Sequence, residues 1–85
     1  MPAHLLDLAR RRIASGALPT SVPKRAIGGP SAGGPCAVCS EPITLKAPEI
    51  EAQYRSSGGR CTYLIMHPPC YSAWLATALA QRAHA

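Results

Sequence analysis

Apolar residues recur along the first fifteen positions with the period of a helix. Leu5, Leu8, Ala9 and Ile13 fall at i, i+3, i+4 and i+8. One face of a 3.6-residue repeat holds all four, which predicts an amphipathic helix over residues 3–15. Asp7 stands four residues before Arg11, within reach of an ion pair and near the positive helix start. Arg10, Arg11 and Arg12 suit the final turns, at the negative end of the helix dipole. Gly16 is placed to close the helix in a left-handed conformation, with Leu18 folding back onto it. Such a helix covers an apolar patch of its own protein, or offers its stripe to a partner or a membrane surface.

The periodicity then stops. Residues 16–35 (GALPTSVPKRAIGGPSAGGP) hold nine Gly or Pro in twenty positions. No regular element is expected at that density, so the stretch reads as a linker, pliant at Gly-Gly and stiff at Pro. Lys24 and Arg25 sit in it beside Ile27, which makes a short basic recognition segment the alternative to a plain tether.

Alternation with period two begins at Glu49–Arg55 (EIEAQYR) and predicts a half-buried strand. SSGG follows, then RCTYLIMH, a second β-rich run. With Ser56–Gly59 as a four-residue hairpin loop, Arg55 faces Arg60. That register pairs Tyr54 with Cys61, Ala52 with Tyr63 and Ile50 with Ile65 on one apolar face. Glu49, Glu51, Gln53, Thr62, Leu64 and Met66 take the other face, with Leu64 and Met66 expected under the N-terminal helix. PPCYSAWLATALAQRA predicts a closing helix that starts on proline and carries Tyr71, Trp74, Leu75, Ala78 and Leu79 along one stripe.

Composition narrows what these elements can do. Eighty-five residues are one small domain, divided here into a helix over 1–15, a linker over 16–35 and a module over 36–85. Of the forty hydrophobic residues fifteen are Ala and four are Cys, and there is no Phe. A core that thin is marginal without help, and the four cysteines are the candidate help. No apolar run approaches the ~18 residues of a membrane span. The first residues lack an uninterrupted apolar h-region, so secretion is not expected; an Arg-rich, acid-poor start also fits a mitochondrial presequence. A cytoplasmic chain with reduced thiols is the simpler reading, and two disulfides the lesser one.

Cys36-Ala-Val-Cys39 and His67-Pro-Pro-Cys70 give C-x2-C and H-x2-C, twenty-seven residues apart. Three thiolates and an imidazole suit a closed tetrahedral Zn2+ site, with Zn–S about 2.3 Å and Zn–N about 2.0–2.1 Å. A thiolate in the first turn of the closing helix gains from the unpaired amides there. Cys61, six residues before His67, lies ~20 Å away along an extended strand at ~3.3 Å per residue. It is expected to be a small buried hydrophobe opposite Tyr54, with a redox role as the alternative. His4 and His84 are read as surface residues, and Trp74 as a core anchor rather than a stacking platform.

Over residues 36–82 the chain resembles treble-clef zinc fingers: a CxxC knuckle, a β-hairpin, then a helix whose first turn carries the second ligand pair. It is also similar to small uncharacterised bacterial proteins in which a short helix and a Gly/Pro linker precede CxVC, EPI and an HxxCYxAW-type ending. The resemblance implies an α+β fold and one structural zinc ion, and no particular activity. Ser40 departs from the pattern, because many knuckles carry Gly after the second Cys and serine is less at ease in a left-handed conformation.

An enzyme is not expected. Catalytic zinc keeps a position open for water, and this donor set leaves none. Pro35-Cys36-Ala-Val-Cys39 matches half of the zinc-deaminase signature, but the H-x-E half is missing upstream. A nuclease would need a further His base, and a thioredoxin-like site a βαβ context. The expected function is that of a zinc-stapled accessory or regulatory module contacting nucleic acid, or a nucleic-acid-bound protein. Its phosphate contacts would be Arg10, Arg11, Arg12, Lys24 and Arg25. The net charge of +5 is concentrated in residues 1–35, with five basic residues and one acidic. The alternative is a protein–protein adaptor using the apolar stripe of helix 3–15 or the exposed side of the hairpin. Neither a membrane nor a small-molecule substrate is expected as a partner.

Overall fold

The computed structural model describes residues 3–55 and 58–83. Helix α1 covers Ala3–Ala14 and helix α2 Pro68–Ala83. Between them run strands β1 (Arg25–Pro30), β2 (Pro48–Arg55) and β3 (Cys61–Met66), antiparallel in the order β1-β2-β3. The protein is thus a small α+β chain of two helices and a three-stranded sheet.

Helix α1 follows the apolar repeat. Leu5, Ala9 and Ile13 are buried and Leu8 is half-buried. Gly16 ends it at φ +85, the Ala17 and Leu18 amides both donate to the Arg12 carbonyl, and Leu18 turns inward. Helix α2 spans the sixteen residues expected, but its buried stripe is rotated. Cys70, Ala73, Trp74, Thr77 and Ala78 face inward, Tyr71 and Leu75 are half-buried, and Leu79 is 49% exposed. Alanines at five positions of this helix blur the periodicity that would have fixed its face. Helix α1 packs on α2, and α2 packs on β2.

The stretch over 16–35 departs from the unstructured linker expected. Arg25–Pro30 is an edge strand on β2, exposed along its whole length. Gly and Pro are poor strand formers, but an edge tolerates them: Pro30 stands at the strand's last position, where a missing N–H costs no ladder bond. The flanks are tied as well. The indole N–H of Trp74 donates to the Pro19 carbonyl at 2.9 Å, and the Lys24 amide to Gln53 O at 2.7 Å. Buried Ser31 donates to Ile43 O and accepts from the Gly33 amide.

The β2–β3 register is one residue away from the expectation. Arg55 faces Cys61, Tyr54 faces Thr62, Gln53 faces Tyr63, Ala52 faces Leu64 and Ile50 faces Met66. Leu64 and Met66 therefore join the core side with Ile50 and Ala52, Met66 in a cluster that holds residues of both helices. Cys61 and Tyr63 move to the outer side, and Cys61 is exposed instead of buried opposite Tyr54. A one-residue slip exchanges the two faces of a strand, because side chains alternate with period two.

Candidate metal centre

Cys36 and Cys39 sit on a tight knuckle closed by a bridge between Pro35 and Pro42. The Cys36 amide donates to Glu41 O and the Ser40 amide to Cys36 O, each at 2.9 Å. Closing the loop requires a left-handed residue after the second cysteine, and Ser40 adopts φ +67. The Ala37 amide donates to Ile65 O at 2.9 Å and fastens the knuckle to β3.

His67 follows the last residue of β3, and Cys70 lies in the first turn of α2. Pro68 and Pro69 open that helix, where amides have no intrahelical partner and proline loses nothing. The Tyr71 amide closes the first turn onto His67 O at 2.9 Å. Strand end and helix start thus deliver an imidazole and a thiol to the knuckle.

One donor atom from each of Cys36, Cys39, His67 and Cys70 lies within 4.8 Å of the other three. His67 Nδ1 is 3.4 Å from Cys39 Sγ and 3.8 Å from Cys70 Sγ. A tetrahedral ion with the zinc bond lengths has S···S edges of about 3.8 Å and S···N edges of about 3.5 Å. The two His67 separations lie close to the S···N edge, and no donor pair has to close by more than about 1 Å to hold such an ion. Cys36 and Cys70 are buried, at 2% and 4% exposure, while Cys39 and His67 are half-buried.

The electrostatics agree with the geometry. Burial of Cys36 opposes ionisation, but the amides of Cys39, His67 and Val38 and the His67 side chain all favour the thiolate. The Val38 and His67 amides each lie 3.4 Å from its sulfur. Together they outweigh burial and bring Cys36 from 9.0 down to about 7. Cys70 moves the other way, pushed up by burial and by the neighbouring Cys36 and Cys39 sulfurs. A group that repels its own ionised form this way is relieved by a cation at its centre.

The arginines and lysine expected to meet phosphate divide between two places. Arg11 pairs with Asp7 across one exposed helical turn, which holds the Asp7 carboxyl below its usual range. Arg12 turns inward instead: Nη2 donates to Ser40 Oγ at 2.6 Å, and Nε is buried without a hydrogen-bond partner. Arg10 is exposed beside a shallow groove between α1 and α2, lined also by Leu6, Ala76 and Gln81. Lys24 and Arg25 are exposed at the start of the edge strand. The link from Arg12 to Ser40 escaped the sequence reading, since nothing in the chain's spacing brings residues 12 and 40 together.

Among the described residues no helix is long and apolar enough to cross a membrane. No family model, no curated protein and no solved structure matches the chain. What the site itself establishes is a Cys3His cluster with the separations of a metal centre, set at the junction of knuckle, strand and helix in a small α+β protein.

Proposed function

We infer that the protein is a non-enzymatic module stapled by one structural Zn2+ in a treble-clef-like arrangement, and that it serves binding rather than catalysis. The observation that carries this reading is the closed donor set of Cys36, Cys39, His67 and Cys70 within 4.8 Å. Three thiolates and one imidazole select zinc over harder cations and complete its tetrahedron, leaving no position for a reacting water. The order of knuckle, hairpin and helix supports the treble-clef assignment. An Ala-rich core explains why the metal matters, since zinc binding in small fingers supplies ~10–16 kcal/mol at neutral pH.

Contact with nucleic acid is the finer part of the reading, supported by the net charge of +5. Arg11 and Arg12 are engaged within the protein, so Arg10, Lys24 and Arg25 remain of the five. An adaptor role for the α1 stripe finds less support, because Leu5, Ala9 and Ile13 are already in the core. Elemental analysis of purified protein tests the metal reading. One zinc per chain is expected, with a chelator unfolding the sheet and α2; protein that purifies metal-free and folded would overturn it.

A further inference from the structure

The two faces of the sheet are covered unequally: Ile65, on the side away from α2, still packs against the core, whereas Tyr63 on the same side is exposed. Cross-strand partners share a face, so Ala26, Ala52 and Leu64 form one row and Gly28, Ile50 and Met66 the next, on the side where α2 packs. The opposite side carries Arg25, Gln53 and Tyr63 in a single row across β1, β2 and β3. Arg55, two residues beyond Gln53, shares that side.

Tyr63 is 61% exposed and stays outside the core cluster. A shallow depression beside it is lined by Gln53, Cys61 and Thr62. Arg25 and Arg55 are exposed, and Arg60 is exposed immediately before β3 at the same end of the hairpin. The acidic residues of this face, Glu49 and Glu51, lie toward its other end, and Glu51 accepts a hydrogen bond from Gln53 Nε2 at 2.9 Å. The result is an exposed aromatic ring with Arg25 and Arg55 on the same side of the sheet, and with the nearest carboxylate of that side, Glu51, tied to Gln53.

We propose that this end of the open sheet face binds single-stranded nucleic acid, with a base stacked on Tyr63 and the neighbouring phosphates held by Arg25 and Arg55. A flat sheet presents the ring to the face of a base, which a single strand offers and a duplex hides in its stack. Positive charge at the tyrosine end and negative charge at the other fix where the phosphates run. Two inter-strand spacings, about 9.6 Å, separate the backbones of Arg25 and Tyr63, which limits the contact to a few nucleotides. The proposal rests on the chain being a binding module. Zinc content is therefore measured on every sample, so that loss of the metal and loss of the surface are seen separately.

The test is fluorescence anisotropy on the zinc-loaded 85-residue chain. The probes are a labelled oligouridylate of about twelve nucleotides, within the site sizes of such surfaces, and a duplex of the same length. The single strand is expected to bind more tightly. Tyr63→Ala should weaken binding about 10- to 100-fold with zinc retained, and Tyr63→Phe should preserve it. Arg55→Ala should make the fall of log K with log [salt] shallower by about 0.7. The proposal is overturned if the zinc-loaded protein does not bind the single strand at low salt, or if it binds the duplex equally well. Binding lost on Arg10→Ala and Lys24→Ala but kept on Tyr63→Ala would also overturn it.

Discussion

The guanidinium of Arg12, in the last turn of α1, donates to the hydroxyl of Ser40, the residue that closes the metal knuckle. Helix and knuckle are thus joined by a polar bond across twenty-eight residues, in addition to the apolar packing of Leu5 and Ile13. Arg12→Ala should lower the stability of the zinc-loaded protein by about 1 kcal/mol, a fall in Tm of roughly 4–8 °C. The buried Nε without a partner keeps the figure from being larger. Ser40→Gly relieves a left-handed serine but loses the acceptor, so it should be near neutral alone and stabilising beside Arg12→Ala. Thermal unfolding of the four proteins measures the coupling. Strictly additive effects would mean the bond contributes nothing.

The register of β3 makes a separate prediction. Met66 is fully buried and Cys61 exposed. Met66→Ala should cost about 2–5 kcal/mol, and Cys61→Ser no more than about 0.5 kcal/mol. In zinc-loaded protein Cys61 should be the thiol that an alkylating reagent labels first, as mass spectrometry of the digested adduct would report. Protection of Cys61 would restore the register that the structure rejects.

How far the chain could be read follows from these same residues. Helix α1 was legible because Leu5, Leu8, Ala9 and Ile13 recur at helical spacing with three arginines between Ala9 and Ile13, and the ligand set because Cys and His at x2 spacing have few other uses. The β3 register was not. Cys61, Tyr63 and Ile65 are as apolar as Leu64 and Met66, so either face passes a hydrophobicity test and the assumed loop length decided wrongly. Strand β1 was hidden because its Gly and Pro signal a turn, and only its pairing with β2 makes it a strand. The inward turn of Arg12 was equally hidden, since a run of three arginines reads as a solvated face until the knuckle is in place.

Trp74 pins the segment after α1. Its ring is fully buried and its indole N–H meets Pro19 O. Trp74→Phe keeps an aromatic ring but strips that carbonyl of its donor and leaves a void, and should cost about 1–3 kcal/mol. Limited proteolysis should then cut faster within residues 19–24 while zinc stays bound. An unchanged cleavage rate would show that the indole bond does not hold the segment.

Metal uptake should release protons. At neutral pH Cys36 is poised near its own titration at about 7, and Cys70 is held as the thiol by burial and by its sulfur neighbours. Binding must displace the Cys70 proton and complete the ionisation of Cys36, so apparent zinc affinity falls as pH is lowered. Calorimetry in buffers of different ionisation enthalpy measures the protons released. A binding enthalpy indifferent to the buffer would contradict this account.

The central claim is a closed zinc tetrahedron made by Cys36, Cys39, His67 and Cys70. X-ray absorption at the zinc edge of the loaded protein tests it most directly. The account predicts three sulfur neighbours at about 2.3 Å and one nitrogen at about 2.0–2.1 Å. A shell with two sulfurs, or one that includes a water oxygen, would contradict both the ligand set and the structural role assigned to the metal.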